Sequence, residues 1–394
     1  MVVLKNALVV LVASLGAIAQ AHDAKHGGDN KLSISMSNSI ISRAQGVLAG
    51  EGDRSAILQA GFMQKAFHQL VKAYPNDTST PFINAYITKS VDSVAKLVSN
   101  ATLDTTAYPL DRLSSGNGLI YQYETTGNET YRIAFEGLRK SIDLQPRNAE
   151  GGLWYWIYPH WSYLDGMYSF APFLTSYTSR YSAANTTAVL DLLFQLDLLW
   201  QHCHNETSGL LVHGYDASKT AMWANNVTGA SPHVWGRSLG WYSMALIDTL
   251  ELLPKTPVFH EARRYVRERF QHLSAAVVKA VDAKSGGWWQ ILDQPGKEGN
   301  YIESSGTSMF IYSLLKGVRM GVLNDKHAQG YHAHGAGAHN TSYTDVAVHA
   351  YEYVSKKFIV DNGNGTLGWN GTVGVCSLNS TATYEVSYPG ISPS

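Results

Sequence analysis

Apolar and polar residues follow one another along most of this chain with the period of a helix rather than of a strand. Apolar positions recur three and four apart over residues 34–47, 56–73, 80–99, 114–125, 128–144, 165–181, 186–203, 234–253, 258–282, 301–321 and 342–358, as expected of helices that each bury one stripe. Turn residues punctuate the segments at Tyr74-Pro75-Asn76-Asp77, Thr126-Gly127-Asn128 and Leu253-Pro254. Asn128 or Thr130 suits the cap of the fifth segment, and Asn185 or Thr186 that of the seventh. No linker or low-complexity stretch divides the chain, and no fixed-period repeat marks a solenoid. The pattern predicts a single all-α domain. Its helical hairpins suggest a toroid of inner and outer helices, an (α/α)6 barrel. Such a barrel needs a closing C-terminal helix, which the pattern does not supply. Strand-like pieces at Gly371–Val375 and Thr383–Ser387 predict a short β-hairpin near the C-terminus.

The start of the chain breaks this rhythm. Lys5 precedes an apolar run from Ala7 to Ala17, followed by the small-x-small site Ala19-Gln20-Ala21. That order predicts an export signal over residues 1–21 and a barrel domain over 22–394. The run is short for a bilayer span, and no later stretch is apolar enough to be one. Asn-x-Ser/Thr sequons begin at Asn76, Asn100, Asn128, Asn185, Asn205, Asn226, Asn340, Asn364, Asn370 and Asn379. Their density behind an export signal predicts a secreted, extracellular glycoprotein.

Composition narrows the partners. At 45% apolar and 15% charged over 394 residues, the chain can bury a large core. Its net charge of −1 favours neither nucleic acid nor an anionic membrane. Cys203 and Cys376 can pair in an oxidising compartment, but they lack the spacing of a structural zinc site. His327, His332, His334 and His339, around a Gly/Ala-rich stretch, read as a polar surface loop rather than a metal site. We expect no metal, no cofactor and a monomer.

The candidate chemistry sits at loop–helix junctions. Trp154, Trp156, Trp161, Trp235, Trp241, Trp288 and Trp289 all fall near predicted helix starts, where aromatic rings suit the stacking of sugar faces. Plugging of helix ends is the plainer alternative. Asp165 lies where a loop becomes an apolar helix, and Asp111 lies near another helix start. Spacing alone favours caps for both. Brought to one cleft, two such carboxylates would hold different pKa values, as glycoside hydrolysis requires. In His233–Trp241, Arg237 stands at a helix start, where the dipole favours anions. That misfit suits a receiver for a carboxylate rather than a helix stabiliser. His213, in Gly209–Asp216, is open between substrate contact and packing.

Six stretches, in order, resemble glycoside hydrolase family 105, the unsaturated rhamnogalacturonyl hydrolases, in their secreted fungal form. They are Leu110–Asn117, Pro146–Trp154, Tyr163–Tyr168, Gly209–Asp216, Val234–Trp241 and Gly299–Ser305. The likeness extends from about residue 34 to about residue 388. It is similar, more distantly, to the unsaturated glucuronyl hydrolases. The resemblance implies an (α/α)6 barrel of the six-hairpin glycosidase superfamily, with Asp165 as general acid and base and Asp111 as its acidic neighbour. It implies that His213, Trp235, Arg237, Trp241, Tyr163 and Met167 contact an oligosaccharide. Glu303 and Ser304 fall in a matching motif without an assigned role. Two departures stand out: Tyr163 occupies a position where relatives usually carry Trp, and Tyr155-Trp156 stands where they often carry His or Lys. The implied reaction removes 4,5-unsaturated galacturonyl residues from the non-reducing ends of pectin oligosaccharides. An unsaturated glucuronyl hydrolase, an ordinary retaining or inverting glycosidase, and a non-catalytic sugar-binding protein are the competing expectations.

Overall fold

The computed structural model describes residues 32–50, 55–157, 161–326 and 342–374. Among them lie twelve α-helices. In chain order they are α1 (Leu32–Ser42), α2 (Ala56–Ala73), α3 (Thr80–Ala95), α4 (Ala101–Ala107), α5 (Gly116–Thr126) and α6 (Glu129–Asp143). The second half contributes α7 (Gly166–Tyr181), α8 (Thr186–Cys203), α9 (Gly236–Leu252), α10 (His260–Lys279), α11 (Ser304–Arg319) and α12 (Tyr343–Lys357). A 3₁₀ turn over Leu110–Ser115 leads into α5. The eleven segments expected from periodicity are all present; the addition is α4, whose seven residues are too few to show a repeating stripe.

The helices form two layers because two kinds of sequence alternate. In α9 every residue from Gly236 to Leu250 is buried, and α7 and α11 are nearly as enclosed. Helices apolar or small all round belong inside. By contrast α6 and α10 bury only one stripe each and turn charged residues such as Glu129, Arg132, Glu261 and Arg264 outward. Sequence neighbours pack as hairpins: α2 with α3, α5 with α6, α7 with α8, α9 with α10, and α11 with α12. The inner helices α7, α9 and α11 lie side by side. Gly240 permits the closest approach of α9 to α11, since a Cβ there would lie 2.8 Å from Met309 Sδ. Among the described residues the inner layer comprises α2, α5, α7, α9 and α11, and one continuous apolar core fills the space between the layers.

Caps explain several boundaries. Asn128 Oδ1 accepts from Thr130 N at 3.0 Å and Asn185 Oδ1 from Ala188 N at 3.1 Å, so asparagine rather than threonine caps α6 and α8. Gly127 takes φ +69° at the end of α5, a conformation glycine adopts at no steric cost. A buried ion cluster ties three inner helices together: Lys65 of α2 and Lys316 of α11 both meet Asp248 of α9. Burial alone would raise the Asp248 carboxyl, but the Lys316 and Lys65 charges outweigh it and hold it at about 2.

Strands are few and short. β1 (Trp161–Tyr163) pairs antiparallel with β2 (Gly214–Asp216), with Tyr163 opposite Gly214. A hairpin lies near the C-terminus, before the pieces singled out from sequence: β3 (Ile359–Asp361) pairs with β4 (Leu367–Trp369). Gly371–Gly374 is not strand, and Thr383–Ser387 lies outside the described residues. Also outside them are the export signal, the four clustered histidines and Cys376; Cys203 is buried in α8. Among the described residues, no helix is long and apolar enough to cross a membrane, and no group of three His, Cys, Asp or Glu side chains is placed to hold a metal.

Candidate active site

The inner helices present their N-termini at one end of the barrel, and the loops before them carry the candidate residues there. Pairing of β1 with β2 does the positioning. Leu164 N donates to His213 O at 3.1 Å, which fixes the start of α7 beside the His213 loop. Gly214 is required at this crossing, because a Cβ would sit 2.4 Å from Ser162 O.

Asp165 does not cap its helix. Its backbone is already helical (φ −52°, ψ −46°), and its side chain accepts no hydrogen bond from the first turn. Instead Ser238 Oγ, in the first turn of α9, donates to Asp165 Oδ2. His213 Nε2 lies 3.2 Å from the same oxygen. His213 is 1% exposed and the Asp165 side chain 13% exposed, so the carboxylate is largely enclosed rather than on the surface. A carboxylate turned away from free helix N–H groups and toward another element is held for something other than helix stability.

Asp111 sits in the 3₁₀ turn before α5, and it is not a cap either. Tyr155 Oη donates to Asp111 Oδ2 at 2.7 Å. Burial pushes the Asp111 carboxyl up to about 7. The Tyr155 hydrogen bond opposes that rise, the Asp165 charge adds to it, and the Arg112 charge opposes it. Asp165 therefore acts on Asp111 as a neighbouring charge, so the fold brings the two predicted carboxylates together. Arg112 is fully buried and spends its donors on Ser141, Gln145 and the Pro109 carbonyl.

Aromatic rings pack in a chain through His213, beside the Asp165 carboxylate. Tyr155 stacks on Tyr163 with centroids 4.8 Å apart, Tyr163 lies 5.1 Å from His213, and His213 lies 4.9 Å from Trp235. The Arg237 guanidinium covers the Trp235 ring at 4.6 Å. Arg237 is 4% exposed; its Nη2 donates to Val373 O at 2.6 Å, while its Nε has no hydrogen-bond partner among the described residues. Trp235 Nε1 is likewise unpartnered. Buried donors without partners are rare, and a ligand acceptor would satisfy them.

The structure separates the remaining candidates. Trp241 and Met167 belong to the main core; Trp241 packs on Phe62 at 5.3 Å and Tyr168 at 4.5 Å, one turn below Arg237. Trp156 and Trp288 plug loops, each with its Nε1 donating to a main-chain carbonyl, Thr106 and Val277 respectively. Trp161 stays half-buried at the rim, 5.4 Å from Trp223. Glu303 and Ser304 anchor the C-terminal segment. Glu303 caps α11 by accepting from Gly306 N at 2.6 Å and also accepts from Thr372 Oγ1 at 2.5 Å. Ser304 Oγ donates to Asn370 O and accepts from Trp369 Nε1. This segment delivers the Val373 carbonyl to Arg237. Spacing points to none of Ser238, Tyr155 and Trp223, although Ser238 adjoins Arg237 and Tyr155 sits at a departure from the resembled pattern.

Comparison with known proteins agrees with this architecture. The profile of Glycosyl Hydrolase Family 88 matches residues 58–388. A family 105 glycoside hydrolase from C. acetobutylicum ATCC 824 is 32% identical, with a TM-score of 0.74 over 89% of this chain and 92% of that one. A possible family 105 member from Salmonella enterica shares the fold at 19% identity, with a TM-score of 0.64 over 91% of this chain and 90% of that one. A curated Agrobacterium fabrum protein is 42% identical over 124 residues, 32% of this chain and 51% of that protein. The chain thus spans about half the length of the curated relatives it matches.

Proposed function

The chain belongs to Glycosyl Hydrolase Family 88, with family 105 enzymes among its relatives, and from that premise we propose that it removes 4,5-unsaturated galacturonyl residues from rhamnogalacturonan oligosaccharides. The observation that carries this reading is the Asp165 carboxyl. It is held by Ser238 and His213, sits near a second carboxyl that burial pushes up to about 7, and is ringed by aromatics.

The reaction needs one group that gives a proton and then takes one. The substrate's C4=C5 bond is an enol ether, electron-rich at C4. Asp165 delivers its proton to C4, and positive charge develops at C5 and the ring oxygen. Water adds at C5 and gives its proton to the Asp165 carboxylate. The resulting C5 hemiketal opens to a ketone, which leaves C1 as a hemiacetal of the leaving sugar. That hemiacetal breaks to an aldehyde and the released alcohol. One water is consumed, and the acid is regenerated. Asp111, which burial pushes up to about 7, is neutral below that pH and so does not oppose the negative charge left on Asp165 once its proton is given. The unpartnered Arg237 Nε supplies a donor for the uronate carboxylate. Trp161 and Trp223 at the rim offer faces to the leaving sugar. The sequence pattern of an export signal followed by dense sequons supports an extracellular role, as a monomeric glycoprotein acting on lyase products of pectin.

The test mixes the protein with lyase-treated rhamnogalacturonan and follows the ultraviolet absorbance of the conjugated uronate. We expect steady loss of absorbance, reduced by about 10²–10⁴-fold in Asp165→Asn. Sugar release from saturated oligosaccharides, with the absorbance untouched, would assign the site to ordinary glycoside hydrolysis instead.

A further inference from the structure

The barrel holds a second concavity. A cavity of about 760 Å³ lies among α2, α5, α7 and the C-terminal ends of α9 and α11. On α9, Asp248 in its wall is eleven residues beyond Arg237, about 16 Å along the helix at 1.5 Å per residue. Tyr168, in the cavity wall, packs on the rings of Phe62 and Trp241, and none of Asp165, Asp111, His213, Trp235 and Arg237 lines that wall. The cavity therefore does not belong to the Asp165 site.

Most charges in its wall are already matched. Lys65 and Lys316 meet Asp248, Lys316 also meets Glu251, and Arg180 meets Glu124. Lys72, at the exposed rim, is the remaining wall cation, and no ion pair engages it among the described residues. What the wall leaves unmatched is neutral. Ser169 Oγ, on a residue 2% exposed, has no hydrogen-bond partner among the described residues; nor do His68 Nε2 and Asn117 Oδ1. The residues that carry them, on α7, α2 and α5, all line this one space. Burial lowers the His68 ring to about 4, so it is uncharged near neutral pH. The Tyr121 ring lies 4.4 Å from His68 and contributes an apolar face.

We propose that this cavity is a non-catalytic binding site for a neutral saccharide unit. Sugar hydroxyls donate and accept at once, which answers an amide oxygen, an imidazole nitrogen and a serine hydroxyl together. The C–H face of a pyranose suits the Tyr121–His68 wall. A phosphate or carboxylate ligand needs an uncompensated buried cation, and the wall offers only the exposed Lys72.

The test titrates the full-length protein with L-rhamnose and D-galactose, reading binding by saturation-transfer NMR and calorimetry. Asn117→Leu and His68→Phe keep the side-chain shape and remove the hydrogen bonds. Each is expected to weaken binding about tenfold while leaving turnover of lyase products unchanged. Tyr121 is 51% exposed, so Tyr121→Ala removes the wall at little risk to folding and should weaken binding similarly. Trp235→Ala, at the catalytic end, should leave this binding intact, which separates the proposal from the Asp165 chemistry. Three results would overturn it. The first is binding that survives all three cavity variants and vanishes with Trp235→Ala. The second is the absence of sugar binding at millimolar concentration. The third is inorganic phosphate binding in its place, abolished by Lys72→Ala.

Discussion

Replacing Asp111 with Asn should make the protein more stable at alkaline pH while impairing its chemistry. The folded protein keeps a proton on Asp111 until about pH 7, because burial disfavours the anion and the Asp165 charge reinforces that. The unfolded chain releases the same proton near 3.8. Between these values the folded state binds more protons than the unfolded state, so this residue's contribution falls as pH rises. Above pH 7 the whole cost is present. The gap, at about 1.4 kcal/mol per pH unit, amounts to about 4 kcal/mol. The substituted amide would carry no charge, and its Oδ1 would still accept from Tyr155 Oη. With about 2.1 cal/mol/K of unfolding entropy per residue over 394 residues, 4 kcal/mol corresponds to ~5 °C in Tm. The assay is calorimetric or circular-dichroism melting of both proteins from pH 4 to pH 9. Asp104, which burial also pushes up to about 7, is common to both, so only the difference between the curves counts. That difference should be near zero at pH 4, grow to pH 7 and then level off. Parallel curves across the whole range would refute the reasoning.

Other perturbations test other joints of the structure. Asp248→Asn leaves Lys65 without a carboxylate partner and Lys316 with Glu251 alone, so unfolding should become easier by about 3–5 kcal/mol. Because the Asp248 carboxyl is held at about 2, its contribution in the wild type is present above about pH 4 and lost as pH falls toward 2, which acid titration of Tm would detect. Gly214→Val pushes a Cβ into the Ser162 carbonyl and pries β1 from β2, so kcat should drop at least ~10-fold through loss of the Asp165–His213 geometry; unaltered kinetics would show that the strand pair does not position the acid. Glu303→Ala frees Thr372 and with it the Val373 carbonyl that holds Arg237, so KM for the unsaturated substrate should rise several-fold more than kcat falls. Glu303→Gln, which still accepts from Gly306 N, should recover most of that loss.

The fold is legible wherever a helix is long enough to repeat its stripe. Residues 56–73 and 186–203 are helical from end to end as the periodicity predicts, because an apolar face and a polar or capping residue agree at each boundary. Failures come where that agreement is missing. Helix α4 spans two turns and leaves no period to count. Strand propensity places the C-terminal hairpin in the Thr- and Gly-rich pieces after Asn370. It passes over the hairpin formed at Ile359–Trp369, where the turn Gly363-Asn364-Gly365 contains two glycines with φ +70° and φ +79°. Those two glycines are the stronger turn signal.

The site divides along a different line. Residue types at helix starts point to Asp165, Asp111, Trp235 and Arg237, and folding brings all four to the same end of the barrel. Pairwise geometry, however, depends on how helices far apart in sequence rotate against one another. Ser238 meets Asp165 across 73 positions, and Tyr155 meets Asp111 across 44. One step along a helix turns a side chain by about 100°, so adjacency to Arg237 says little about where Ser238 points. The same rotation decides that Trp241, on the first helical turn after Arg237, faces the Phe62–Tyr168 core rather than the Trp235 wall. Trp235 and Trp241 read alike as loop–helix tryptophans, yet one keeps its indole N–H unpartnered beside the guanidinium and the other closes the floor beneath it. A six-residue offset therefore separates an indole with an unpartnered N–H from a packing one, and local sequence pattern does not encode that rotation.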